Sequence, residues 1–232
     1  MIRLAHKYRI ESVQEQALTA LKTGFPDTFE AYRDMPDDQS LIEFEEVHAI
    51  GAVTLARLTD TPSILPFALY RCCALGSALL DGWTREDGWV EHLSPQDLRR
   101  VIDGRDALAR EAVKLFHRVF SDHIPAPNCT TRETCRLALA YLEHKIGNDD
   151  EAGSYDVLST WATLVKKVAK KRGLCQRCVD DVLFREESAR GTVWFKLPTI
   201  FNVDVEGWAG LSKKGKQSGS QVAADSDSSE SE

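Results

Sequence analysis

The chain has 232 residues, 43% of them hydrophobic and 28% charged, and a formal net charge of −7. That length can bury a substantial core, and the acidic balance argues against a general affinity for nucleic-acid phosphates, leaving only a local basic patch open. No apolar run approaches the roughly 20 residues of a membrane span, and MIRLAHKYRIESVQ is too charged for the apolar centre of a signal peptide. The expectation is cytoplasm or nucleus, where the six cysteines stay reduced and paired thiols suggest metal before disulfide.

The pattern predicts helix almost throughout. Ser12 and Glu15 have capping-box spacing, and Val13, Ala17, Leu18 and Leu21 share a face up to Gly24. FPDTFEAY is a short segment before the loop MPDDQS, and residues 43–58 read as a helix. Thr61 and Pro62 form a cap and first-turn pair for the apolar ILPFALYRCCAL. Ser94 and Pro95 repeat that logic, with Gly104 as the stop. RDALAREAVKLFHRVF then predicts an amphipathic helix with Leu108, Val113, Leu115, Phe116 and Phe120 in the core. Thr131 caps a helix over 132–146. Ser154 opens one that runs to Arg172, with Trp161, Leu164, Val165 and Val168 inward, and Gly173 closes it.

A further helix is expected through VDDVLFREES, and WFKLPTIFNV closes the fold; parts of 192–203 are the only candidates for extended chain. From about Ser212 the composition turns polar, with the basic KKGK and the acidic serine run DSDSSESE, and no apolar face remains, so 212–232 reads as a disordered tail. The fold class is all-α, an irregular bundle of about eight helices with little or no sheet.

At residues 2–21, IRLAHKYRIESVQEQALTAL resembles the closing helix pair of a BTB/POZ domain, through Leu4, Ala5, Lys7, Tyr8 and Ile10. AVTLARLTDTPSILPFALYRCC, LSPQDLRRVIDG, CTTRETC, LCQRC and VWFKLPTIFNV are similar, in order, to the C-terminal region of BTB domain-containing proteins of mushroom-forming fungi. The resemblance implies a closing helix pair over 1–24, a helical C-terminal domain over 25–211 and a protein–protein interaction role. The strand-rich half and dimerising helix of a full BTB domain are not seen before Ile2. A truncated member, lacking the usual dimer surface and much of the cullin-contacting surface, is therefore expected.

Two cysteine pairs carry the chemistry. Cys129 and Cys135 flank a helix start six apart, and Cys175 and Cys178 stand three apart at another. Zinc takes four thiolate or imidazole ligands in a tetrahedron, often from two such knuckles, and helix N-termini favour thiolates. Cys129, Cys135, Cys175 and Cys178 are thus candidate ligands for one structural zinc, with His123 as a substitute for Cys129. Buried thiols acting as small hydrophobes remain the bland alternative, and redox chemistry a weaker one. Cys72 and Cys73 lie in an apolar helix and read as core.

KKVAKKR, 166–172, reads first as a solvated helix face and secondly as an import signal or nucleic-acid contact. GxSxG, HExxH, Walker-type and dinucleotide motifs are absent, and His6 and His48 read as surface or satisfied core rather than catalytic groups. Trp83 and Trp89 read first as loop staples and secondly as lining for a pocket or partner groove. The expectation is a non-enzymatic interaction module, a BTB-type adaptor or scaffold, with a protein partner and one structural zinc. The alternatives are a nuclear regulator touching nucleic acid through 166–172, a metal-dependent or thiol enzyme, against which four available cysteines argue, or an impaired fragment.

Overall fold

The computed structural model describes residues 1–35, 45–120, 124–148 and 155–208. Helix α1 (Ile2–Tyr8) ends where Arg9 turns left-handed, and α2 (Glu11–Gly24) starts at once. Ser12 is already inside α2, whose start has no side-chain cap, so the capping-box spacing is not used. α2 buries no residue completely; Leu18 and Leu21 touch the edge of the core. α3 (Phe29–Arg33) is capped by Thr28, whose hydroxyl accepts from Ala31 N at 3.3 Å. α4 (His48–Leu58) starts later than the sequence pattern suggests.

The run Pro62–Leu80 has the length and hydropathy of a membrane span, contrary to the sequence reading, but 56% of it is buried inside the bundle. It is a 3-10 turn (Pro62–Ile64), helix α5 (Leu65–Cys72) and a second 3-10 stretch (Cys73–Leu80) broken at Gly76, φ 54°. Ile64, Leu65, Phe67, Ala68 and Leu69 are all at most 2% exposed, so the apolarity is that of a core helix. A two-residue ladder follows, with β1 (Trp83–Thr84) antiparallel to β2 (Val90–Glu91). Arg3 of α1 pairs with the buried Glu91, tying the N-terminal hairpin to this ladder. Trp83 is the staple expected of it, because its ring lies where a Cβ on Gly51 would sit, 2.5 Å away. Trp89 is not; it is exposed.

α6 (Pro95–Phe120) is one helix, not two. Ser94 accepts from Asp97 N at 3.1 Å, and Asp97 gathers Ser94, Arg57 and Arg100 at the buried start. Gly104 does not stop this helix. Its missing side chain is a notch for Phe201, whose ring would lie 2.3 Å from an added Cβ. Leu108, Leu115 and Phe120 are buried and Phe116 half-buried, but Val113 faces outward.

α7 (Arg132–Gly147), α8 (Ala162–Arg172) and α9 (Gln176–Ile200) complete the bundle. α8 begins well after the position suggested by Ser154, which lies outside the described residues, as does the tail 212–232. Residues 155–161 instead make a non-helical strap held by distant partners. Tyr32 donates to Leu158 O at 3.1 Å, Leu158 N donates to Tyr70 Oη at 3.3 Å, and Glu186 accepts from Trp161 N at 3.0 Å.

α9 absorbs the segment 192–200, so no extended chain forms there. Pro198 lies in its last turns and lacks the N–H that would bond Trp194 O four residues back. The Trp208 indole N–H takes that carbonyl at 3.0 Å. Trp194 is the largest fully buried side chain, with ring centroids of Tyr32, Phe67 and Trp208 at 5.1, 5.3 and 5.4 Å. The observed class is all-α: nine α-helices among the described residues, with one two-strand ladder.

Candidate metal centre

Four local devices bring the cysteines together. After α6 the chain turns through buried Pro125 and Ala126, and Cys129 N donates to Ala126 O at 3.0 Å. Asn128 takes the left-handed conformation, φ 64°, which Asn tolerates better than most residues. Cys135 sits one turn into α7, fully buried, its N–H on Thr131 O at 2.9 Å. Gly173, φ 72°, reverses the chain out of α8, and Leu174 anchors the turn in the core. Cys175 is the N-cap of α9 with extended backbone, and Cys178 lies in its first turn.

The four sulfurs lie within 4.8 Å of one another, and Cys129 Sγ and Cys175 Sγ are 3.7 Å apart. A tetrahedral Zn–S bond of ~2.3 Å places sulfurs about 3.8 Å apart, so the cluster has the size of such a coordination sphere. It is too wide for a disulfide, whose S–S bond is about 2.05 Å, and all six thiols are free. The six-residue step from Cys129 to Cys135 works because one cysteine stands on the loop and the other a turn up the helix.

The surroundings suit sulfur anions. Cys175 N donates to Cys135 Sγ at 3.3 Å, and Ala126 N donates to Cys178 Sγ at 3.3 Å. The Thr131 hydroxyl, rather than capping α7, lies 3.3 Å from Cys135 Sγ. The Cys178 backbone N–H, with further hydrogen bonds from the other thiols, holds the Cys175 thiol down at about 7. Burial pushes Cys178 upward. Both α7 and α9 begin at the cluster, so their partial positive charge points at it. Arg177 donates to Asn128 O at 2.7 Å and clamps the Cys129 loop to α9. The helix N-termini are foreseen in sequence and Thr131 is read there only as a cap; Ala126 and Arg177 are not singled out, and only the turn-forming PAPN hints at the first of them.

Cys129, Cys135 and Cys178 are buried and Cys175 is half-buried, so protein encloses most of the site. Among the described residues this is the one cluster of metal-ligating side chains. His123, the substitute ligand, lies outside the described residues. Cys72 and Cys73 are core residues, as expected; burial raises Cys73 to about 12 and Cys72 further. His6 is exposed, and the half-buried His48 meets Trp83 edge-on at 5.2 Å. On α8, Lys166, Lys167, Lys170 and Lys171 are exposed, while Arg172 lies over the Tyr141 ring at 4.0 Å. KKGK and DSDSSESE lie outside the described residues.

Fold and site together define a helical bundle with four clustered cysteines able to bind a metal ion. No protein-family model, curated protein or solved structure matches the chain.

Proposed function

We propose that this chain is a non-catalytic protein–protein interaction module of the BTB-associated type, whose bundle is tied together by one structural zinc on Cys129, Cys135, Cys175 and Cys178. The observation that carries the zinc is the gathering of four sulfurs, from the loop after α6, the start of α7 and the α8–α9 junction, within 4.8 Å. Thiolate donors in a tetrahedral set suit zinc, and four protein ligands leave no open position for a substrate or attacking water. When bound, the metal would lock three chain segments that are otherwise joined by loops.

The partner surface in this reading is the N-terminal hairpin. Leu4 and Tyr8 are 60% and 64% exposed, and a groove of about 680 Å³ runs between α1, α2, α4 and β1, lined by Ile2, Leu4, Leu21, Leu55 and Trp83. Exposed apolar side chains beside a concave apolar surface are the usual signature of a docking site. A photo-crosslinker at Tyr8 tests this. The reading expects one partner protein trapped in a one-to-one ratio, and loss of trapping in Leu4→Asp without a change in melting temperature. Trapping only second copies of this chain, or nothing, contradicts it.

A second reading, a nuclear regulator contacting nucleic acid, draws on the four exposed lysines of α8. It requires an oligonucleotide affinity that falls steeply with salt and disappears when Lys166, Lys167, Lys170 and Lys171 become Gln.

A further inference from the structure

The four sulfurs are chemically unequal. Cys135 and Cys178 are held within α7 and α9 and are buried. Cys129 stands on a loop, and Cys175 occupies the extended N-cap position, outside the helix it precedes. These two loop sulfurs are 3.7 Å apart. Cys175 is also the one member of the cluster that is not buried.

We propose that Cys175 is an oxidative modification site, at which a hydroperoxide converts the Cys129–Cys175 pair into a disulfide and releases the bound metal. The proposal rests on the metal reading above. The Cys175 thiolate attacks the peroxide O–O bond, giving Cys175 sulfenic acid, with water leaving after one proton is taken up. The Cys129 thiolate then displaces the sulfenic oxygen as a second water, taking up another proton and forming the S–S bond. Two thiolates lose two electrons in total, one peroxide gains them, and two protons are consumed.

Geometry favours this pair. Closing 3.7 Å to about 2.05 Å needs a movement below 2 Å between two residues outside regular helix. Joining Cys135 to Cys178 would instead require shifting two packed helices. The remaining two thiolates are half the ligand set, too few to retain zinc tightly. Cys72 and Cys73 stay out of the reaction, because burial removes both access and thiolate character. The step is reversible by thiol reductants, as disulfides are and sulfinic acids generally are not.

The experiment uses the full chain, its metal content measured first, treated with hydrogen peroxide beside a chromogenic zinc chelator. The expected result is one metal released per disulfide formed and a fall in free thiols from six to four. Peptide mapping should find Cys129 joined to Cys175, and dithiothreitol with added zinc should restore the starting state. A sulfenic acid trap such as dimedone should label Cys175 first. Metal retained with all thiols intact, or a disulfide between Cys175 and Cys178, overturns the proposal. A chain that carries no metal yet forms the Cys129–Cys175 bond overturns the metal-release step and the zinc reading, while leaving the modification site standing.

Discussion

Replacing Gly104 by alanine separates two opposite expectations. In an exposed helix interior the change would stabilise by about 1 kcal/mol, because glycine has the poorer helix propensity. Here an added Cβ would lie 2.3 Å from Phe201 Cε1 and 2.5 Å from Cδ1, and Phe201, at the C-terminal end of α9, is fully buried. The ring cannot swing into solvent, so α6 and α9 must move apart or the ring must leave its rotamer; an overlap this deep falls in the upper part of the overpacking range, about 2–3 kcal/mol. The collision wins, for a net loss of about 1–2 kcal/mol. In a chain of this size that lowers the melting temperature by about 2–8 °C. Urea unfolding followed by circular dichroism should show a lower midpoint with an unchanged slope. In a Phe201→Leu background the alanine should be neutral or better, a coupling of about 1 kcal/mol or more. Equal or greater stability of Gly104→Ala with Phe201 intact would refute the notch.

Two other perturbations follow from buried charge. Glu186 is 1% exposed, pairs with Arg190, and accepts from Trp161 N at 3.0 Å while Arg190 donates to Leu158 O at 3.2 Å. Glu186→Ala should therefore cost about 3–5 kcal/mol by stranding a buried guanidinium and freeing the 155–161 strap; protease nicking near Leu158 reads the second effect. At the start of α6, burial raises the Asp97 carboxyl, but hydrogen bonds from Arg57 and Ser94 and the nearby charges of Arg57 and Arg100 outweigh it, leaving Asp97 below its ordinary value. A lowered folded value means that its stabilisation is full above the unfolded value of about 3.9 and is lost as pH falls through the folded one. Wild type and Asp97→Asn should thus converge in stability during acid titration and differ most near neutrality, as melting curves from pH 2 to 7 would show.

What the sequence revealed was local. Ser94 as a cap and Gly173 as a left-handed stop need only their own neighbours, and both stand where the pattern put them. The two cysteine pairs were legible for the same reason, since each announces itself at a helix start. That they meet was an inference from zinc's appetite for four ligands, not from any pattern linking residues 129 and 178. What stayed hidden depended on distant partners. A glycine that stops a helix and one that receives Phe201 look alike in sequence. Pro198 lies inside α9 because the distant Trp208 indole takes the Trp194 carbonyl that the proline leaves free. The 155–161 strap looks amphipathic, but it is held out of helix by hydrogen bonds that Tyr32 and Arg190 donate to Leu158 O and that Tyr70 and Glu186 accept from Leu158 N and Trp161 N.

Elemental analysis of the full chain, purified without a metal-affinity step, decides whether Cys129, Cys135, Cys175 and Cys178 hold a metal. One zinc per chain is expected, absent from Cys175→Ser, with a cooperative melting transition that drops when a strong chelator removes the metal. Protein free of metal, with the same melting curve before and after chelator, would contradict the zinc site and return the four cysteines to the core.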